Sequence, residues 1–369
     1  MRLLYALIKK IKMKIIINTP YINIPAGVSN HYKGLKPYFS GNVIYNQCVT
    51  TNWIKRTFKT NNYYIIKLIR YFCLFFDVAK FSFIMILNHK CHVLLNPSFG
   101  PNALKREIIF AKIAKCFGAK YSFFIHGWTK EYFDSVASGN IRLDKIFYNA
   151  ESYFVLAEQF RQNLITLGIK KKIFITRTKV PDYMIADSNR EVTNIKRILY
   201  LARVEKDKGI FETIRTFQIL HDAYPDLKFD VVGSGSALNE AKELAKPLGS
   251  SITFYGALYD KDVIKMYSQS DLYILLSYHE GMPTTVLEAM AFGLPVITRP
   301  VGGLVDFFRN EEMGYMDSSL DPIVFADYIK ELIRHPDKVL AISKINREYA
   351  KVNFMASVVA KDIEEKLTN

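Results

Sequence analysis

Cysteine is scarce in this chain of 369 residues: four, at Cys48, Cys73, Cys91 and Cys116. None forms a Cys-x-x-Cys pair, and all lie in the first third. Neither a zinc site nor a disulfide framework fits such spacing, which leaves buried free thiols in a reducing compartment as the simple reading. Internal repeats and low-complexity tracts are also missing. So is a secretory signal: in MRLLYALIKKIKMKIIIN the apolar run is too short before the lysines begin. This segment reads as a short basic amphipathic lead-in, and Met13 is an alternative start to Met1. The strongest membrane candidate, YIIKLIRYFCLFFDVAKFSFIMILN (64–88), is interrupted by Arg70, Asp77 and Lys80. A charge near the bilayer centre costs roughly 2.5–3.5 kcal/mol even on lenient scales, so a buried or interfacial helix is expected instead of a spanning one.

Acidic residues are outnumbered. Asp and Glu total 35 against 50 Lys and Arg, a net charge of +15. That balance suits an anionic partner, namely nucleic acid, an anionic membrane face or a phosphorylated substrate; a merely basic surface is the alternative. The basic residues are spread out and not clustered with aromatics, which argues against nucleic acid.

What is present is globular composition, with 50% hydrophobic and 23% charged residues, in a chain long enough for two domains. From residue 195 onward strands and helices alternate. IKRILYLAR (195–203), LKFDVVGSG (227–235), ITFYG (252–256), DLYILLS (271–277) and PVIT (295–298) read as strands. Between them lie helices such as GIFETIRTFQILHDAYP (209–225), with Ile210, Ile214, Phe217 and Leu220 at helical spacing. Strands this apolar indicate an α/β fold with a doubly wound parallel sheet covered on both faces. MKIIIN (13–18), KCHVLLN (90–96), KYSFFIH (120–126) and SYFVLAEQFRQNLITLG (152–168), a strand and then a helix, repeat the pattern more loosely. The polar stretch 175–194 reads as a linker. The expected domains are therefore 1–185 and 190–349, facing a central cleft, with a C-terminal helix about 350–369 able to pack on either.

Ligands of open parallel sheets sit beyond the carboxyl ends of the strands. Arg203 and Lys208, in LARVEKDKG, flank a helix start and make either a diphosphate clamp or two solvated charges. Gly233 and Gly235, in VVGSGS, make either a tight turn or a close nucleotide approach. The richest segment is SYHEGMPTTVLEAMAFGLPVI. Strand 271–277 delivers Glu280, then Gly281, Met282 and Pro283 turn into a helix whose first N–H groups, near Thr284, suit an anion. Glu288 follows eight positions after Glu280, in an otherwise apolar helix. Two carboxylates so placed suit sugar and ribose hydroxyls, because ionised acceptors bond hydroxyls strongly. In the first half, NIPAGVSNHYKGL (23–35) reads as a substrate loop that starts a helix, and His126 ends a strand; His31 and His279 are further histidines.

These motifs resemble the family 4 glycosyltransferases, the glycosyl group 1 family. The resemblance rests on the Glu-x7-Glu element EGMPTTVLE, on LEAMAFGLPVI, on the Arg-x4-Lys pair in LARVEKDKG and on VVGSG, over about residues 195–310. More weakly it includes the loop before HYKGL, with Ala26-Gly27 where many members have Gly-Gly, and FIHGW. It implies a GT-B fold of two Rossmann-like domains and retaining transfer from a nucleotide-sugar donor without metal or other cofactor; no Asp-x-Asp element of the metal-dependent kind is read. Arg203 and Lys208 would neutralise the diphosphate. Glu280 would hold the sugar with the backbone of Gly281 to Thr284, and Glu288 the ribose. Gly233 would admit the nucleotide, Gly27 would line the donor site, and His126 would reach the sugar from the other domain. The C-terminal helix would cross back onto the first domain.

The expected setting is a cytoplasmic enzyme, peripheral on the inner face of an anionic membrane, acting on a saccharide or lipid-linked acceptor in bacterial-type surface polysaccharide or lipopolysaccharide biosynthesis. The alternatives are a sugar-nucleotide epimerase of the same fold and a non-catalytic nucleotide-sugar binding protein.

Overall fold

The computed structural model describes residues 13–24, 26–88, 90–185 and 190–368. The basic lead-in over 1–12, and with it the choice of start, lies outside them, as do 186–189 of the polar stretch. The chain forms two compact units, Met1–Thr176 with Val359–Asn369, and Arg177–Val358. The change of unit thus falls at the start of the polar stretch and again three residues into the last helix.

The first unit runs β1 (Lys14–Pro20), α1 (Gly27–Leu35), β2 (Val43–Cys48), α2 (Thr51–Phe58), α3 (Tyr63–Leu87) and β3 (Cys91–Leu95). It continues through α4 (Pro101–Cys116), β4 (Lys120–Ile125), α5 (Lys130–Ala137), α6 (Lys145–Tyr148), β5 (Ser152–Val155), α7 (Glu158–Thr166) and β6 (Lys172–Ile175). Its sheet is wholly parallel in the order β2-β1-β3-β4-β5-β6. The middle strands are buried along their length, Cys91–Leu95 at every residue. Burial on both faces explains why these strands are apolar runs without alternation. Phe81 meets Phe110 edge to face at 5.1 Å between ring centroids, and Phe99 stacks on Trp128 at 4.3 Å, closing the core with favourable ring geometry.

The second unit runs β7 (Arg197–Leu201), α8 (Ile210–Ala223), β8 (Lys228–Val232), α9 (Leu238–Ala245), β9 (Ile252–Gly256) and α10 (Asp260–Gln269). Then follow β10 (Leu272–Leu275), α11 (Thr284–Ala291), β11 (Val296–Thr298), β12 (Gly314–Met316), α12 (Pro322–Arg334), α13 (Pro336–Asn353) and α14 (Ala356–Thr368). Its sheet, again parallel, has the order β12-β11-β10-β7-β8-β9. β7 sits between β8 and β10, so the winding reverses between β7 and β10, and the crevice at that switch point opens at the strands' carboxyl ends. The far part of α14 packs on the first unit: Glu364 accepts the Ser40 N–H at 3.1 Å, and Lys366 donates to the Ile175 carbonyl at 3.3 Å.

Three strands escape the sequence reading: β2, β6 and β12. β12 is three residues long, and β6 is followed at once by the stretch read as a linker. That stretch corrects the reading in part, because Thr178, Lys179 and Val180 are buried in the second unit. The helix expected over 64–88 is present as α3, but it is not buried. Its inward stripe is Ile66, Asp77, Phe81 and Met85, while Leu68, Phe72, Phe75 and Phe83 each expose more than 60% of their surface. No helix of the described residues is long and apolar enough to cross a membrane.

Candidate functional site

The site of the second unit grows from two adjacent strands. β7 pairs with β10 in parallel, Ile198 beside Leu272 and Leu199 beside Tyr273, so their exits lie side by side. After β7 the chain passes Arg203, which is exposed, and makes a single 3-10 turn at Lys206–Lys208. It enters α8 through Gly209, at φ 68°. A Cβ there would stand 2.2 Å from the Leu276 carbonyl oxygen, so only glycine lets α8 start against the end of β10. This close approach carries Lys208 to the residues that follow β10.

There Lys208 Nζ lies 2.8 Å from Glu280 Oε1 and donates to the His279 carbonyl at 3.3 Å. Ser277 Oγ donates to the same Glu280 oxygen at 2.9 Å. Lys208 is buried and Glu280 nearly so; their side chains expose 11% and 18%. The two residues read separately as a phosphate cation and a sugar carboxylate are thus partners. Removing either leaves the other charge uncompensated in a poorly solvated place, which typically costs about 3–5 kcal/mol.

Gly281, Met282 and Pro283 form the turn into α11, with Pro283 as its N-cap and Thr284 the first helical residue. The opening N–H groups of a helix lack helical partners and carry the positive end of its dipole. Thr178 secures this turn from the stretch read as a linker: its N–H meets Met282 Sδ at 3.5 Å, and its hydroxyl meets that of Thr284 at 3.0 Å. One turn on, Glu288 accepts from the Tyr267 hydroxyl at 2.9 Å. Burial pushes its carboxyl above the usual carboxylate range, with the Lys179 charge and the Tyr267 bond pulling the other way. Tyr273 joins this group by donating to Thr285 Oγ1 at 2.6 Å.

Gly233 stands at φ 142°, and a Cβ on it would come within 1.9 Å of the Ala202 carbonyl oxygen. Its freedom is required by the turn's own packing against the end of β7. Gly302 is a residue the sequence reading missed. At φ 52° its Cβ would fall 2.1 Å from the Gly281 carbonyl oxygen, and Gly303 N–H bonds that oxygen at 2.8 Å. Arg299, also missed, lies over the Tyr278 ring at 4.7 Å and donates Nη2 to the Ser318 carbonyl at 3.1 Å. Its Nε and Nη1 are buried without a partner among the described residues. A cation and a Gly-Gly pair directly after strand 295–298 were the available signals. Lys179 had none, since nothing in its neighbours marks a buried lysine. The chain does spell Asp260-x-Asp262, against the reading of no such element. Both residues are exposed in the first turn of α10, where acids complement the helix dipole.

In the first unit, His126 Nε2 pairs with Asn96 Oδ1 at 2.9 Å, and its ring stacks on Phe124 at 3.8 Å. Burial pushes the imidazole down to about 3, so it is neutral at ordinary pH. Tyr32 donates to the same Asn96 oxygen at 2.6 Å, and His31 packs edge-on against His126 at 5.1 Å. Gly27 opens α1, and a Cβ there would meet nothing within 4 Å.

Residues 185–349 match the family model of the glycosyl transferases group 1. The chain resembles that family. Similar proteins include an uncharacterized glycosyltransferase of Haemophilus influenzae, 31% identical over 153 residues, 41% of this chain and 43% of that one. The capsular polysaccharide biosynthesis glycosyltransferase CapM of Staphylococcus aureus is 23% identical over 213 residues, 57% of this chain and 56% of that one. The chain spans about half the length of these curated relatives. Solved structures extend the likeness to the whole chain. The crystal structure of Anabaena HepE in complex with UDP superposes with a TM-score of 0.71 at 16% identity, covering 96% of this chain and 99% of that one. A glycosyltransferase from Rickettsia africae gives 0.71 at 17%, covering 97% and 99%. The fold is GT-B, built of two Rossmann-like units, as the resemblance implies.

Proposed function

We propose that this protein is a retaining, metal-independent glycosyltransferase that moves a sugar from a nucleotide-sugar donor to a saccharide acceptor. The observation that carries the reading is the Lys208–Glu280 pair at the switch point of the second sheet, beside the start of α11. Glycosyl–phosphate cleavage puts negative charge on the departing diphosphate and positive charge on the sugar. Arg203, Lys208 and the first N–H groups of α11 oppose the first charge. Glu280, held by Lys208 and Ser277, takes the sugar hydroxyls, and Glu288 the ribose hydroxyls. His126, neutral and fixed by Asn96, serves as a hydrogen-bonding group toward the sugar. The acceptor oxygen bonds the anomeric carbon on the face the diphosphate leaves, and the departing phosphate takes its proton. No protein nucleophile enters.

The acceptor we favour is lipid-linked, in surface polysaccharide synthesis, at the cytoplasmic face of a membrane. Support comes from the basic charge and from the similarity to CapM, a capsular polysaccharide biosynthesis glycosyltransferase. The UDP held by HepE makes uridine diphosphate sugars the first donors to try. The test is a panel of nucleotide sugars incubated with saccharide acceptors, read by mass spectrometry and by the anomeric proton of the product. Retained configuration at an undiminished rate in chelator is expected. An epimerised donor without acceptor, an inverted product or loss of rate in chelator would each refute the assignment.

A further inference from the structure

The first unit carries a surface and a cavity that the donor chemistry leaves unused. Among residues 1–130 the only acids are Asp77 and Glu107, against 20 lysines and arginines. Both acids are buried: Asp77 accepts the Val49 N–H at 2.8 Å, and Glu107 pairs with Arg106 at 2.8 Å. The net +15 of the chain is therefore more than accounted for by this region.

Helix α3 is amphipathic in the inverted sense. Its charged residues sit on its inner side or flank. Its outer side presents Leu68, Phe72, Phe75, Phe76, Phe83 and Leu87, each more than half exposed, with no charge among them. At 1.5 Å per residue the apolar ridge from Leu68 to Leu87 is about 29 Å long. Beneath its first half lies a cavity of about 600 Å³ between α2, α3 and α4. Lys55, Lys67, Arg70 and Lys105 line it with the Asp77 carboxyl. Among the described residues none of these four cations has a carboxylate within 4.0 Å. Exposed Arg56 and Phe58 on α2, and Lys59 directly after it, continue the same mixture.

A soluble surface seldom keeps so long an apolar ridge, and a ridge bordered by unpaired cations matches one occupant best. We infer that the first unit docks on an anionic lipid surface, with the outer side of α3 lying at the headgroup–acyl boundary and the basic cavity holding a lipid phosphate. The apolar ridge provides what hydrocarbon needs, and the cations what phosphate needs. A nucleic acid would meet the cations but leave the ridge uncovered. A second copy of the chain would bring the same positive charge against itself. The inference extends the membrane-side reading of the acceptor and rests on that reading for its biological setting alone; the surface is tested without turnover.

The experiment is co-sedimentation of the full chain with vesicles of phosphatidylcholine alone, of phosphatidylcholine with phosphatidylglycerol, and of phosphatidylcholine doped with a prenyl phosphate at matched charge. Binding to both anionic kinds, weakened by salt and absent on phosphatidylcholine, is expected. Stronger binding to the prenyl phosphate identifies that carrier as the occupant of the cavity; equal binding identifies bulk headgroups. Phe72→Ser with Phe76→Ser, both exposed and so tolerable to the fold, is expected to cut the partition coefficient at least tenfold. Lys67→Glu with Arg70→Glu is expected to cut it similarly and to flatten its salt dependence. Inorganic phosphate alone is expected to compete only weakly. Thermal melting shows that the variants are folded, and stabilisation by nucleotide sugars reads the second unit separately. No binding at low salt overturns the inference, as does binding indifferent to both variant pairs. So does lipid-free self-association that the Phe72/Phe76 variant abolishes, which marks the ridge as a contact between copies. None of these outcomes touches the donor-site reading, which fails only if nucleotide sugars neither stabilise the protein nor turn over.

Discussion

The two units are built on the same six-stranded parallel plan, yet they place charge in opposite ways. Over residues 1–130 of the first, 20 lysines and arginines stand against only two acids, Asp77 and Glu107, and both are buried. In the second, acids and cations meet: Lys208 with Glu280, Arg197 with Asp230 at 2.8 Å, and Arg190 with Asp271. A common backbone therefore says little about chemistry; the side chains at the strand ends say most. A parallel sheet with covered faces asks only for apolar strands, and both units supply them. Holding a diphosphate sugar asks for a cation, a carboxylate and a helix start at one switch point, and the second unit brings these together.

The largest expected effect breaks that convergence. Glu280→Gln keeps the size and one acceptor oxygen but removes the charge that Lys208 faces. Transfer is expected to fall on the order of 10²–10³-fold. Lys208→Met is expected to match it, and both variants to lower the melting temperature, because each strands the partner's charge. A double-mutant cycle sharpens the point. If the pair acts as a unit, Lys208→Met combined with Glu280→Gln should be little worse than the poorer single variant. Additive losses would show two independent roles.

Glycines give the next contrast. Gly302→Ala adds a Cβ at φ 52°, 2.1 Å from the Gly281 carbonyl. The turn must shift, and we expect at least a tenfold loss of transfer with a stability loss of about 1–3 kcal/mol. Gly27→Ala in the first unit meets open space and no positive φ, so the melting temperature should hold. If Gly27→Ala nonetheless raises KM for the donor, the residue's role is ligand contact and not packing. Equal melting losses in the two variants would contradict this distinction. A change of similar size but different kind is expected of Tyr267→Phe, which removes one bond to Glu288. A bond to a charged group is worth about 1.5–3 kcal/mol, and the loss should appear in KM for the nucleotide more than in kcat.

Much of this was legible in the sequence, and the reasons differ by unit. The second unit's strands and helices are short, regular and bounded by Gly or Pro, so β7 through β11 were readable. β12 was not, because three residues at a sheet edge carry too little periodicity. The candidate residues were readable as types, since Lys208 and Glu280 follow apolar strands closely and Glu288 interrupts an apolar helix. Their pairing was not, because it depends on Gly209 fitting against Leu276, a contact between a helix start and a strand end that no local pattern encodes. Lys179 and Thr178 were hidden by polarity: a stretch rich in Thr, Arg and Lys reads as solvated until its partners Met282, Thr284 and Glu288 are known. For α3 the pattern was ambiguous in principle. An apolar helix face looks the same in sequence whether it turns inward or outward.

The smallest expected effect concerns acid. Burial pushes His126 down to about 3 and His92, which bonds the Ser122 hydroxyl at 2.8 Å, down to about 4. Both values lie below that of an unfolded histidine, near 6.5. Between that value and the folded ones the unfolded chain binds more protons, so their contribution to stability is full above about 6.5 and is lost as pH falls toward 4. Glu288 has the opposite sign. Its carboxyl is held above the 4.5 of an unfolded glutamate, so the folded state binds the extra proton and gains on acidification toward that value. The two units should therefore diverge between about pH 7 and about pH 5. Hydrogen exchange in β4 is expected to accelerate while that in α11 holds. The change is at most about 1.4 kcal/mol per pH unit for each histidine. His92→Asn should reduce the slope in β4 and leave α11 alone. If α11 loses protection first, or if His92→Asn leaves the β4 slope as it was, the buried histidines are not what makes the first unit acid-sensitive.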